Sequence, residues 1–449
     1  MSCRSLDPSP ALFRLLAGES TRPLAWVDGQ GVDLAGFLRH VHGVAAWLPT
    51  ARHVVNLCDD RYRFLVLLCA AAVRGQVTLL PPSRAPAVVA QIAGAHAGCS
   101  LVTDQPEVAA LLPGQHCLPA TLPAADGGVP LLPADQVLVI GYTSGSTGVP
   151  QANPKTWGSF VASTAQNMQQ LSRLCGGQLP QVVATVPPQH MYGMELSVLL
   201  PLLGPACIHA GRPFFPQDVA QALAQVPPPR LLVTTPVHLR ALVQAGVELP
   251  ALAGIITATA PLPVPLAQAA EAAFAAPVQE MFGSTETCIF ATRRTAQTAQ
   301  WTPLAGVRVQ PLADGMRVSA PHLEQPRELA DLVRCTGDGR FELIGRRADL
   351  VEIAGKRASL GDLTARLLAL PGVADGVMLQ LPAEPGQPVG RIAALVVAPG
   401  REEAELLGAL RQAMDPVFLP RPLRRVPALP RNETGKLPRD ALLALLQAG

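Results

Sequence analysis

Aromatic side chains are scarce in this chain: four Trp, three Tyr and eleven Phe make up 4% of 449 residues. Aliphatic side chains and alanine must therefore fill the core. Charge is also sparse, at 15% of residues, and nearly balanced, with 35 Lys+Arg against 33 Asp+Glu and a formal charge of +2. That balance removes any electrostatic case for binding nucleic acid or an anionic membrane. The nine cysteines form no Cys-x-x-Cys and no Cys/His cluster at zinc spacing. Cys58 and Cys69 sit in apolar runs and read as small core residues, so a reducing cytoplasm is expected. No signal-peptide core follows Met1 to Ser5. The longest apolar runs, 65–73 and 196–208, are too short or too Pro-broken to span a bilayer. With 49% hydrophobic residues the chain is far from disordered, and 46 prolines fit many short, rigid loops.

This length allows two or three domains. From Val54 onward short apolar runs alternate with helical patterns: strands at 54–57, 77–80, 182–186, 231–234, 255–257 and 278–281, helices at 63–73, 87–97, 194–203, 237–245 and 266–275. The alternation predicts βαβ units and a mostly parallel sheet. After Phe290 short strands and turns take over, with a hairpin turn at Asp338-Gly339-Arg340. The last hundred residues carry a separate small pattern, with helices at 360–368 and 402–414 and strands at 377–381 and 392–397. A boundary is placed near Ala348.

One stretch organises the chain: Gly141-Tyr142-Thr143-Ser144-Gly145-Ser146-Thr147-Gly148-Val149-Pro150. It follows the apolar strand 137–140 and precedes a helical pattern at 156–173, so it reads as a small-residue loop at a strand-to-helix junction. Such a loop can wrap phosphate oxygens with backbone N–H groups and hydroxyls. The bland alternative is a flexible Gly/Ser loop. No Gly-Lys-Ser/Thr follows at Walker spacing, and no Gly-x-Ser-x-Gly frame fits. Three further stretches end predicted parallel strands, where α/β sheets bind ligands: 186–195 with His190, 257–262, and 280–287 with Thr285 and Glu286.

The ordered set Tyr-Thr-Ser-Gly-Ser-Thr-Gly-x-Pro, Phe-Gly-x-Thr-Glu, Gly-Arg-x-x-Asp, Gly-x-Arg and Pro-x-x-x-x-Gly-Lys resembles the adenylate-forming superfamily of acyl- and aryl-CoA synthetases, peptide-synthetase adenylation domains and luciferases. The resemblance covers roughly residues 50 to 445. It implies an α/β fold: a large N-terminal domain (1–347) of mostly parallel sheets with helices plus a small β-barrel-like part, and a small mobile C-terminal α+β domain (348–449). It implies ATP and Mg²⁺ as cofactors. Thr143, Ser144, Gly145, Ser146, Thr147 and Gly148 would hold the β- and γ-phosphates, Thr285 the α-phosphate, and Glu286 the magnesium. Ala258, Thr259 and Ala260 would line the adenine edge, with Phe282 and Gly283 beside it; Phe282 also reads as core packing. The family's ribose Asp lies seven residues before the Asp-Gly turn, which selects Asp331 over Asp338, with Arg346 as its partner. Lys436 corresponds to the adenylation lysine and His190 to the gate beside the acyl group. Ala348 and Asp349 would form the hinge, and Gly355 and Arg357 the thiol channel.

A closer similarity is to the compact AMP-ligases of aryl-polyene and xanthomonadin pigment pathways, carried by Thr143 to Trp157, Pro187 to Glu195 and Asn56 to Phe64. It implies a hydroxybenzoate-type acid passed to a separate acyl carrier protein, with CoA as the alternative acceptor. Met191 stands where amino-acid-activating relatives carry an acid, so an unpaired substrate ammonium would be costly. Met191, Tyr192, Met194, Ala258 and Met281 would form a pocket for a flat acid, and Tyr192 or Glu195 would meet a ring hydroxyl. Two positions depart from the family: Gln151 replaces the lysine after the loop, leaving Lys155 as a substitute phosphate ligand, and Ala348 occupies the hinge. These departures keep a non-catalytic nucleotide- or carrier-binding paralogue as the alternative of another class.

Overall fold

The computed structural model describes residues 11–109, 115–144, 150–346, 349–353, 356–382, 390–432 and 435–447, with residues 144, 346, 350, 352 and 357 described by backbone alone. Two large sheets dominate. The first has six strands in the order Pro150–Thr156, Val137–Ser144, Val77–Leu80, His53–Asn56, Ser100–Thr103, Gln115–Cys117. All pair parallel except the first, which runs antiparallel to Val137–Ser144. The second has nine strands, with a parallel run formed by Val278–Ser284, Gly254–Thr257, Arg230–Thr234, Gln181–Ala184, Cys207–His209 and Pro23–Val27. Strands such as Ser100–Thr103, Gln181–Ala184 and Gly254–Thr257 are buried at every residue. Such continuous burial is what a parallel sheet covered on both faces requires.

The helix Arg61–Val73 lies between the layers. Asp60 caps it by accepting the Arg63 N–H at 2.8 Å, which starts the helix two residues before the expected Arg63. Its residues 64–72 are all buried, so no face is left for water. Arg61 is fully buried as well, and its guanidinium donates to the carbonyls of Ala184 (3.0 Å) and Val186 (2.8 Å) and to Ser197. A helix of the first sheet is thereby fastened to a strand end of the second. Burial, with Arg212 nearby, lowers its pKa to about 9.

Three sequence expectations change. The segment after Ile140 is not a loop running into a helix. Strand Val137–Ser144 continues past Ile140 and Pro150–Thr156 returns against it, with Gln151 opposite Thr143, before the helix Trp157–Leu174 begins. Positions 145–149 at its tip lie outside the described residues. Nor does the region after Phe290 close into a barrel among the described residues. It forms a three-stranded antiparallel sheet (Arg308–Leu312, Gly315–Ser319, Arg327–Leu329) and a separate hairpin, Asp331–Cys335 with Phe341–Arg346. The expected helix 194–203 is also divided, into Met191–Met194, a π-turn at Glu195–Leu199 and Leu200–Leu203.

A smaller C-terminal unit has its own cores, one joining Val351, Leu360, Leu363, Ile392 and Leu406, another joining Leu379, Leu395, Leu442 and Leu446. Its strands Asp375–Gln380, Ile392–Val397 and Leu423–Arg425 form one mixed sheet. The eight described cysteines are free thiols, and among the described residues no helix is long and apolar enough to cross a membrane.

Replacing Arg61 by Met keeps the apolar stem and strands the carbonyls it serves. An unsatisfied buried polar group costs about 1–3 kcal/mol, so Arg61→Met should lower the urea midpoint clearly, and Arg61→Lys should recover part of the loss. An unchanged midpoint in Arg61→Met would show that the fork carries no stability.

Candidate active site

The strand ends of both sheets meet at one point. A Cβ placed on Gly141 would come 3.0 Å from Thr285 Cγ2 and 3.5 Å from Met191 Cε. Three stretches far apart in sequence are thus in contact: the end of strand Val137–Ser144, the turn after Val278–Ser284, and the helix start after His190. At that turn the chain doubles back into Cys288–Arg293. Gly283 is required there, because a Cβ would lie 2.2 Å from the Cys288 carbonyl oxygen. Ser284 and Thr287 close the turn by mutual hydrogen bonds at 3.1 Å, and Cys288 takes a left-handed φ of 56°. Thr285 and Glu286 are half-buried at its tip. Among the described residues the Glu286 carboxylate has no side-chain partner, and a half-exposed hard oxygen donor of this kind fits Mg²⁺, which commonly takes one or two carboxylates with phosphate oxygens and water.

His190 caps the helix Met191–Met194, its Nδ1 accepting the Tyr192 N–H at 3.3 Å. This leaves the neutral ring's proton on Nε2, free to donate. Burial, and then the nearby Lys436 cation, push its pKa down to about 4. Lys436 is exposed on a loop closed by Lys436 N–H to Asn432 Oδ1 at 2.8 Å. Gly435 lies against Val237, where an added Cβ would stand 3.0 Å from Cγ2. Asp375 fastens this arrangement: Arg431 of the same unit grips it at 2.9 and 2.8 Å, and Arg240 of helix Pro236–Ala245 meets it at 3.2 Å.

At the end of strand Gly254–Thr257, Thr259 holds φ +82°, a strained conformation for a β-branched residue. Ala258 is buried, and Ala260 is half-buried beside it. Phe282 packs among Phe290, Trp301 and Phe341 with ring centres 4.9, 5.1 and 6.3 Å away, while staying partly exposed. Behind that cluster Arg293 lies 4.4 Å over Trp301 and pairs with buried Glu280 at 2.7 Å. The antiparallel register sets Asp331 directly opposite Arg346. Asp338 is a turn residue: its carboxylate accepts from Thr336 Oγ1 (2.5 Å) and from the Arg340 N–H (3.2 Å), and Gly339 takes φ +82°.

Several sequence assignments do not fit this geometry. Lys155 does not flank the loop as a phosphate ligand. It is 5% exposed and its amine donates to the Glu286 carbonyl at 2.7 Å. Gln151 lies on the same face of Pro150–Thr156, four residues nearer the hairpin end, and is exposed. Tyr192 has its hydroxyl already donated to the carbonyls of Ile256 (2.9 Å) and Thr234 (3.1 Å), and so has no proton left for a ring hydroxyl. Glu195 is buried on Ile289 N–H and Asn167, and burial pushes its pKa up to about 7. Met194 is wholly buried in the main core, and Met191 and Met281 nearly so. Ser144 and Arg346 have described backbones only. Gly145, Ser146, Thr147, Gly148, Ala348 and Gly355 lie outside the described residues, as does the side chain of Arg357. Asp349 is described and half-buried. Sequence reading missed Arg61, Arg240, His322 and Asp375, whose only signal was a charged or polar residue within or beside an apolar pattern.

Fold and site together define an adenylate-forming ligase. Residues 35–318 match the AMP-binding enzyme family, and the chain belongs to that family. It is 32% identical over 301 residues to a 4-coumarate--CoA ligase of Rhodobacter capsulatus, covering 66% of this chain and 73% of the relative. A 126-residue stretch is 32% identical to the L-proline--[L-prolyl-carrier protein] ligase of Pseudomonas fluorescens, covering 27% of this chain and 24% of that protein. Among solved structures, ATP-bound MatB from Rhodopseudomonas palustris superposes with a TM-score of 0.80 at 19% identity, over 96% of this chain and 97% of that one. The o-succinylbenzoate CoA synthetase MenE of Bacillus subtilis superposes with a TM-score of 0.77 at 18% identity, over 94% and 95% of the two chains.

The His190 environment yields a prediction. Burial and the Lys436 cation both oppose charging, so the ring stays neutral from alkaline pH down to about 4. Its contribution to stability is full above the unfolded-chain value of about 6.5 and is lost as pH falls toward the folded value. NMR of labelled histidine should find no His190 titration near pH 6.5, and Lys436→Ala should move its midpoint upward. A midpoint at the ordinary value in the parent would contradict the docked geometry.

Proposed function

We propose that this protein activates an aromatic carboxylic acid of the 3- or 4-hydroxybenzoate type with ATP and passes the acyl group to the phosphopantetheine thiol of a separate acyl carrier protein, in pigment biosynthesis of the aryl-polyene or xanthomonadin type. The observation that carries the activation step is the meeting of Gly141, Thr285 and Met191, with Lys436 beside His190. A carboxylate oxygen attacks the α-phosphorus, the bond to the bridging oxygen of the β-phosphate breaks, and pyrophosphate leaves. Charge crowding dominates that barrier, so positioning and fixed charges do most of the work.

Lys436 supplies a mobile cation to the α-phosphate and carboxylate oxygens, and Thr285 a hydroxyl to the same phosphate. Residues 143–148 cradle the β- and γ-phosphates. Asp331 and Arg346 take the ribose hydroxyls, with Phe282 and the 258–260 backbone around adenine. Magnesium held by Glu286 would neutralise phosphate charge. His190, with its Nε2–H free, donates to the acyl oxygen. In the second step the thiol sulfur attacks the acyl carbon, AMP leaves with the C–O electron pair, and the thiol proton passes to solvent. That step follows rotation of the 348–449 unit about Ala348 and Asp349, bringing Gly355 and Arg357 to the thiol channel.

Met191 supports an acid without an ammonium group, and the buried carboxylate four residues on, Glu195, is committed to Ile289 and Asn167. The similarity to a 4-coumarate--CoA ligase favours a second reading in which free CoA is the acceptor.

Pyrophosphate exchange across hydroxybenzoates, cinnamates, amino acids and fatty acids is expected to be strongest with a hydroxybenzoate. No exchange with any acid would overturn the enzyme reading. Mass spectrometry of products with carrier protein and with CoA then decides the acceptor. Lys436→Ala should abolish exchange while largely sparing thioester formation from synthetic acyl-AMP; equal loss of both would remove Lys436 from the first step.

A further inference from the structure

Behind the turn that carries Thr285 and Glu286 lies a set of buried polar side chains that the reaction does not touch. Three backbone groups of that turn are each met by a side chain from a different element. The Glu286 carbonyl accepts from Lys155 Nζ at 2.7 Å. The Thr287 carbonyl lies 2.7 Å from His322 Nε2. The Ile289 N–H donates to Glu195, at 2.9 Å to Oε2 and 3.2 Å to Oε1. Asn167 steadies the carboxylate at 3.1 Å, and the His322 Nδ1 lies 2.6 Å from the Gln166 side-chain oxygen. Lys155, Glu195 and His322 are 5%, 1% and 3% exposed.

The origin of each side chain matters. Lys155 stands on Pro150–Thr156, the returning arm of the hairpin whose tip is the Gly/Ser stretch. Glu195 begins the π-turn that continues the helix started by His190. A π-turn widens the helix at a functional site more often than elsewhere, and here its first residue reaches the Ile289 N–H. Burying a lysine and a carboxylate is costly unless their partners are fixed. The same turn is locked from within by Ser284 and Thr287 and by the left-handed Cys288.

We propose that Lys155, Glu195 and His322 are positioning residues for the magnesium-bound nucleotide: they set the Thr285–Glu286 turn against the phosphate hairpin and the acyl-side helix, so that three separate elements share one frame. Lys155 thus acts on the phosphates indirectly, through the backbone of the metal-binding turn. The inference rests on the reading of Glu286 as a magnesium ligand.

Isothermal titration of ATP into the full-length protein, with Mg²⁺ and with EDTA, needs neither acid nor thiol. Lys155→Met should weaken binding of Mg-ATP about tenfold or more, the usual scale for groups that orient a metal ligand, and metal-free ATP less, since EDTA removes the Glu286 share and leaves only the Thr285 contact with the α-phosphate. Should Lys155→Met not fold, His322 supplies the same contrast: His322→Gln keeps a donor for the Thr287 carbonyl and should bind Mg-ATP as the parent does, whereas His322→Leu should show the loss. A parent that binds ATP no better with Mg²⁺ than without would defeat the Glu286 reading. A parent that shows the dependence, with Lys155→Met or His322→Leu retaining it, would defeat this inference alone.

Discussion

Where a parallel strand ends, its last carbonyls point beyond the ladder and no neighbouring strand takes them. A buried carbonyl without a donor is costly, and here long side chains meet that need. At strand ends Arg61 serves Ala184 and Val186, and Tyr192 serves Thr234 and, one residue inside the next strand's end, Ile256; in the antiparallel turn after Val278–Ser284, Lys155 serves Glu286 and His322 serves Thr287. Arg84 and Gln189 do the same for the end of His53–Asn56, at Leu57 and Cys58. Catalysis in this architecture requires strand ends to converge on one point, and convergence brings these orphan carbonyls together away from water. The buried donors are the structural condition for having such a site.

The same economy governs charge. Glu286 and Thr285, at the tip of the turn, stay half-buried, while Lys155 behind them is used on a backbone oxygen. Lys436 is the exception, an exposed cation on a separate unit held near His190 through Asp375 and its two arginines. The unit that carries Lys436 is held by ion pairs at Asp375, whereas the Thr285–Glu286 turn is held by buried hydrogen bonds. Of the four non-glycine residues with left-handed φ among the described residues, Thr259 and Cys288 lie in this neighbourhood, and Asp28 and Ala275 lie elsewhere.

Much of the fold was legible before any coordinates. Runs such as 77–80 and 392–397 coincide with strands because two-sided burial leaves an uninterrupted apolar stretch. Asp331 was separable from Asp338 by counting from a turn, since hairpin register propagates residue by residue. The hairpin 137–156 was not legible, because its return strand, Pro-Gln-Ala-Asn-Pro-Lys-Thr, is polar and carries two prolines; as an edge strand it tolerates both. The motifs at 141–150, 282–286 and 430–436 could be read because each is linear.

By itself, the sequence determined the order of elements, the motifs and the chemistry they imply, because periodicity, turn residues and short motifs act over a few neighbouring positions. Only the tertiary structure decided what Lys155, Glu195, His322 and Arg61 do. Lys155 finds its carbonyl 131 residues away, Glu195 its N–H 94 away, and His322 its carbonyl 35 away. Which buried carbonyl lacks a partner depends on how two sheets meet, and no local pattern encodes that.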